Sequence, residues 1–151
     1  MKKYYNIFFV LMFIIYIIVL AYLVFFSQNF GRGYIRREIH LIPFQTIIHY
    51  IFIRKNLGFF MVNVPGNIAA FVPLGYLLPG INKKFLRLKN LIIVVFSVTL
   101  AIEVIQYIAG VGTSDIDDII LNLLGGLIGF VLFTAPIELR MNYDKIDNRE
   151  G

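Results

Sequence analysis

The chain has 151 residues, is 59% hydrophobic, carries 15% charged residues and has a net charge of +5. That length usually makes one domain, and a soluble domain of this size could not bury so much apolar side chain, so the composition defines an integral membrane protein. There are no cysteines, which excludes disulfides, thiolate metal sites and cysteine nucleophiles. In a membrane protein a basic balance sets orientation and meets anionic headgroups rather than nucleic acid.

Lys2 and Lys3 precede an apolar run over 7–26. Twenty residues at about 1.5 Å each suffice to cross a bilayer, and no small-x-small cleavage site follows, so the run predicts an uncleaved first span. The basic stretch "SQNFGRGYIRREIH" comes next, with Gly31 and Gly33 as breakers. After Pro43, apolar residues fall at Phe44, Ile47, Ile48, Ile51 and Phe52. Their 3–4 spacing predicts a short amphipathic helix, either interfacial or re-entrant, since it is too short and too polar to span.

A second span is predicted over 63–78, with Pro65 in its first turn and Pro73 deeper, where it frees the carbonyl of Ala69 and kinks the helix. The basic loop "NKKFLRLK" separates it from a third span over 91–108. A fourth is predicted over 115–134, followed by a polar tail over 138–151 that reads as mobile. The expectation is an all-α membrane protein: one domain over 1–151 with its core at 36–134, four transmembrane helices, and the short amphipathic helix after the first. No internal repeat is present.

Placing the N-terminus inside puts Lys2, Lys3, Lys83, Lys84, Arg87, Lys89, Arg140, Lys145 and Arg149 on the inner side, and Arg32, Arg36, Arg37, Arg54 and Lys55 outside. Nine against five predicts a multi-pass cell-membrane protein with both termini cytoplasmic. Nearly every membrane-embedded polar group then belongs to the outer leaflet: Asn63 and Asn67 near the start of the second span, Glu103 and Gln106 near the end of the third, and Asp115, Asp117, Asp118 and Asn122 at the start of the fourth.

Each of these residues has a plainer role available. Ser114 followed by Asp117 is an S-x-x-D capping pattern, and Asp115 and Asp117 suit a first helical turn. Asn63 and Asn67 could cap a helix or bond between helices. Asp118 caps less well and shares a face with Asn122, Gly125, Gly126 and Gly129, a small and polar face that should point into the bundle. Glu103 sits inside a span, where a carboxylate costs about 2.5–3.5 kcal/mol or more and is by default a functional candidate. A structural ion pair with Arg36 or Arg37 is the alternative. The residues singled out as a ligand-binding set are Asn67, Glu103, Gln106, Asp115, Asp118 and Asn122 with Arg36 and Arg37. Glu103 and Asp118 are the acid–base candidates. No metal or cofactor is expected: D-x-D-D is short and common, the arginines compete for its charge, and His40 and His49 fit no zinc spacing. No nucleophile elbow, phosphate loop or zinc-protease motif occurs.

Three blocks resemble the VanZ-like family of bacterial membrane proteins: "HLIPF" at 40–44, "NVPGNIAAFVPLGYLLP" at 63–79, and "SVTLAIEVIQYIAGVGTSDIDDIILNLLGG" at 97–126. Asn67, Phe71, Pro73 and Gly75 match its N-x-x-x-F-x-P-x-G element. Glu103 and Gln106 match E-x-x-Q, and Asp115, Ile116, Asp118, Asn122, Gly125 and Gly126 match D-I-x-D-x-x-x-N-x-x-G-G. Asp117 lies off that pattern. His40 stands where the family usually has Asn, and "GVGTS" replaces an Arg many relatives carry before the D-I-x-D element. The family takes its name from a member linked to resistance to teicoplanin, a lipid-tailed glycopeptide. The resemblance implies a four-helix protein of the bacterial cell membrane connected with the envelope or with such resistance. Three functions stay open: a binder or modulator that engages an envelope component or lipoglycopeptide through the outer polar site; a small membrane enzyme acting on a lipid-linked envelope precursor through Glu103 or Asp118; and an assembly partner using its glycines. The partners expected are membrane lipids and no nucleic acid.

Overall fold

The computed structural model describes residues 2–26, 39–53, 57–110 and 113–150, with side chains over 4–25, 39–49, 51–53, 58, 60, 62–110 and 113–137. Helix α1 (Lys2–Phe26) leads into a two-residue strand β1 (Ile39–His40), a single α-turn α2 (Gln45–Ile48) and a π-turn (His49–Ile53). Three long helices follow: α3 (Leu57–Ile81), α4 (Leu88–Ala109) and α5 (Ile116–Glu150). A 3₁₀ turn at Lys83–Leu86 joins α3 to α4, and strand β2 (Ser114–Asp115) precedes α5. Four stretches are long and apolar enough to cross a membrane: Tyr4–Phe25, Val62–Ile81, Leu88–Ala109 and Ile116–Ile137. The fold class read from the sequence is therefore the one observed, with the short helix in its expected place.

Differences lie in the bounds. Helix α3 begins at Leu57 rather than at 63, because "LGFFMV" supplies a further apolar helical stretch that Gly58 alone does not break. Pro65 thus lies inside the helix and not in its first turn, and with Pro73 and Pro79 it leaves the carbonyls of Met61, Ala69 and Gly75 without their usual donors. Helix α5 runs to Glu150 instead of stopping at 134, no glycine intervening before Gly151.

The apolar core joins Leu20 of α1, Phe71, Leu74 and Leu78 of α3, and Leu91 and Val95 of α4. Lipid offers helices no hydrophobic drive to associate, so tight backbone approach must do it. The α3–α5 pair is the most extensive contact in the fold. A Cβ added at Gly75 would land on the carbonyl of Gly126, one at Gly125 on that of Ile68, and one at Gly129 on that of Val72. Ile68 and Val72, one turn apart on α3, meet Gly125 and Gly129, one turn apart on α5, in the same order, so α3 and α5 are parallel. Helix α4 runs opposite: Asn122 meets Thr99, while Gly126, one turn further along α5, meets Val95, one turn earlier along α4. Helix α1 packs antiparallel to α3, with Tyr16 beside Ala70 and Phe9 beside Gly80. The starts of α3 and α5 and the ends of α1 and α4 therefore share one end of the bundle.

Candidate functional site

At that end the chain makes an unexpected link. Strands β1 and β2 pair in parallel, Ile39 with Ser114 and His40 with Asp115. The segment that follows β1 is thereby laid over the start of α5. Leu41, Ile42, Phe44, Ile48, Phe52 and Ile53 point outward, while Thr46, Ile47 and Ile51 are half-buried against the bundle. The apolar face read from Phe44 to Phe52 is thus split between an exposed row (Phe44, Ile48, Phe52) and an inward pair (Ile47, Ile51).

Helix α2 starts at Phe44, which has φ 64° and no capping side chain of its own. A left-handed conformation in a bulky residue costs roughly 1–3 kcal/mol and persists only where its surroundings enforce it. Here Asp117 enforces it. Its Oδ1 accepts the Phe44 N–H, and its Oδ2 accepts the N–H groups of Thr46 (3.1 Å) and Ile47 (3.2 Å). Asp117 is 2% exposed. It is a cap, but of a helix some 70 positions back, not of its own. The local S-x-x-D reading is corrected accordingly: Ser114 sits in β2, and Asp115 caps α5 by accepting the Asp117 N–H at 2.9 Å.

Asp115 is buried and tied on several sides. Its carboxylate accepts the Thr46 hydroxyl at 2.5 Å and lies 3.5 Å from His40 Nδ1, which is 3.3 Å from Thr46 Oγ1. Its own N–H donates to Glu103 Oε2 at 3.0 Å. Glu103, 2% exposed, therefore fixes the turn between α4 and α5 from within. Arg36 and Arg37, expected as counter-charges, lie outside the described residues. His40 is the basic side chain seen beside Asp115, and a spacing argument aimed only at metal ligation passed over it.

The remaining candidates divide. Asn67 donates to Asp118 Oδ1 at 2.5 Å, bonding α3 to α5. Asn122 donates to Thr99 Oγ1 at 2.7 Å, and its own Oδ1 is buried with no hydrogen-bond partner among the described residues. The same α4–α5 register places Asp118 level with Glu103. Gln106 turns away from this group and donates to the carbonyl of Val24 at 3.2 Å, in the last turn of α1, where carbonyls lack intrahelical donors. It anchors α1.

A small pocket, open on one side, lies between α2, α3 and α5. Ile47, Phe60, Val64 and Leu121 form its apolar wall, and Thr46, Asn63, Asp117 and Asp118 bring polar groups to it. Of the acid–base candidates, half-buried Asp118 reaches this pocket and Glu103 does not. Thr46, Thr99, Phe60 and Leu121 were missed in the sequence, where nothing distinguishes them from ordinary helix residues. The signal for Asp117 was indirect: a helix that begins at Pro43–Phe44 with no Ser, Thr, Asp or Asn to cap it needs an acceptor from elsewhere.

Four spanning helices, with their buried carboxylates and amides gathered at one end and a small pocket opening there, define a multi-pass membrane protein with a polar head on an apolar bundle. The chain belongs to the VanZ/LLP1 family, whose family model matches residues 13–137. Protein VanZ of Enterococcus faecium is 29% identical over 137 residues, which cover 88% of this chain and 77% of that protein. No solved structure matches the chain.

Proposed function

We propose that the protein works in the bacterial cell membrane with both termini cytoplasmic and its polar end outward, binding or modulating an envelope component there, and that it protects cells against teicoplanin-type glycopeptides. The observation that carries this reading is the pocket beside Asp118, the one acid of the four that both reaches open space and keeps acceptor capacity. Two features narrow the other readings, leaving Asp118 as the acid an enzyme would use. Glu103 is sealed behind Asp115 and has no route to a substrate through the pocket. Gly75, Gly125, Gly126 and Gly129 are spent inside the bundle, so they offer no glycine face for an assembly partner.

Cells expressing wild type, Asp118→Asn or an empty vector, scored for teicoplanin susceptibility, test the function. Wild type should raise the inhibitory concentration and Asp118→Asn should return it towards the vector value. Equal susceptibility of wild type and vector would sink the resistance reading. Orientation is checked separately, since the chain has no native cysteine. A membrane-impermeant maleimide should label Thr113→Cys in intact cells and leave Lys84→Cys unlabelled.

A further inference from the structure

The pocket's own chemistry narrows what can occupy it, and the inference rests on the reading of this end as a ligand site. Both oxygens of Asp117 are taken up by three backbone N–H groups, and the Thr46 hydroxyl is donated to Asp115. Asp118 accepts a single hydrogen bond among the described residues, on Oδ1 from Asn67. A carboxylate has about four acceptor positions, so Asp118 reaches the pocket with most of them unused. No second donor among the described residues bonds it, and a positively charged donor gives the stronger bond. Among the described residues Phe60 is the aromatic that lines the pocket. A quaternary ammonium has no N–H to donate to a carboxylate and is bulkier than a primary ammonium. A primary ammonium offers three donors on a compact head.

Size supplies the second constraint. The cleft is open to one side, and the space it encloses is only about that of one water-sized group, far below what surrounds a whole drug-sized ligand. The space admits a compact –NH3+ group beside Ile47, Val64 and Leu121 but not a trimethylammonium, and the rest of the ligand must lie outside. Outside are the exposed apolar side chains of Ile48 and Phe52 beside the bundle, a surface suited to acyl chains. We infer that the pocket binds the primary ammonium head of a membrane amphiphile, with Asp118 as its acceptor and the alkyl part leaving along the 39–53 segment.

The test uses the purified full chain in a nonionic detergent, titrated calorimetrically with dihexanoyl-phosphatidylethanolamine, dihexanoyl-phosphatidylcholine and free ethanolamine. The ethanolamine lipid should bind roughly tenfold or more tightly than the choline lipid, the scale of one hydrogen bond to a charged group. Asp118→Asn should remove that preference with the helical spectrum intact. Leu121→Phe, which fills the pocket and keeps the carboxylate, should weaken the ethanolamine lipid as well. Equal affinity for the two lipids overturns the inference, as does a preference that survives Asp118→Asn. Free ethanolamine binding as well as its lipid overturns the amphiphile. The two failures separate cleanly. Loss of protection in Asp118→Asn cells with no lipid preference leaves the outward-site function standing and removes the ammonium. A lipid preference in a protein that confers no protection does the reverse.

Discussion

The two halves of the bundle are held by opposite means. Toward the middle, α3 and α5 touch through backbone, with Gly75, Gly125, Gly126 and Gly129 removing every side chain that would keep them apart. At the polar end the contacts are long side chains reaching across: Asp117 to α2, Glu103 to β2, Asn67 to Asp118, and Gln106 to α1. Both lie on one face of α5, which passes from Asp118 and Asn122 to Gly125, Gly126 and Gly129. The lesson is about tolerance. A backbone contact has no slack, because a Cβ at Gly75, Gly125 or Gly129 meets a carbonyl that the facing helix itself holds in place. A side-chain hydrogen bond can be replaced by another acceptor of similar reach.

The largest effect should come from the rigid half. Gly75→Ala places a methyl group on the Gly126 carbonyl, so the helices must separate. A loss of about 3 kcal/mol or more is expected, at the upper end for overpacking, read as a fall in thermal midpoint in mild detergent. Gly80→Ala is the control: its Cβ meets the ring of Phe9 rather than backbone, on the least enclosed helix α1, and a smaller cost of about 1–2 kcal/mol is expected. Equal costs for the two would mean the glycine seam is not what sets the α3–α5 distance.

Asp117→Ala comes next and acts on the other half alone. It strips the acceptor from three N–H groups at once and leaves the left-handed Phe44 without its clamp. Part of each lost bond is recovered from water at this end, so about 2 kcal/mol is expected. The signature is local. Amide exchange at Phe44, Thr46 and Ile47 should accelerate while Val72, Gly126 and Gly129 in the seam stay protected. Unchanged exchange at the three amides would break the proposed division.

Much of this was legible in the sequence because it is periodic or compositional. Length and hydropathy gave four spans, and the glycines four and three apart on α5 announced a close-packed face. The polar end was visible as clustering, since the starts of the second and fourth spans and the end of the third must share a side. What was not legible is every contact that depends on a partner far along the chain. The β1–β2 pairing joins residues about 75 positions apart through two residues each, too few to leave a strand pattern. Asp117 looked like a cap for its own helix because capping rules are local, and its actual partners are 70 to 73 positions away. Pro65 was misplaced because Asn63 resembled a helix start and instead lines the pocket.

A smaller effect distinguishes charge from shape at Glu103. Glu103→Gln keeps an oxygen to accept the Asp115 N–H, and stability should change by no more than about 1 kcal/mol. Glu103→Leu leaves that buried N–H without its acceptor and should cost about 1–3 kcal/mol. The ordering matters more than either value. If Gln were as damaging as Leu, the ionised carboxylate itself would be holding this end together, and its partners would extend beyond the Asp115 amide.

The smallest expected effect lies where the two halves meet. Tyr16 donates from its hydroxyl to the carbonyl of Ala70 at 2.9 Å, joining α1 to the part of α3 loosened by Pro73. Helix α1 is the least enclosed span, with 11% of its window buried against 28–33% in the others. A hydrogen bond there looks indispensable until the acceptor is considered. The carbonyl of Ala70 already serves the N–H of Leu74 within α3, so removing the tyrosine hydroxyl orphans no buried group. Phenylalanine fills the same space against Phe13 and the core. Tyr16→Phe should therefore cost about 0.6 kcal/mol, the average for interhelical hydrogen bonds within membranes. A reversible unfolding series in mixed micelles can resolve that difference. A cost above about 1.5 kcal/mol would show that α1 is held by this bond rather than by the packing of Phe9 and Leu20, and would move α1 from the packed half of the molecule to the hydrogen-bonded one.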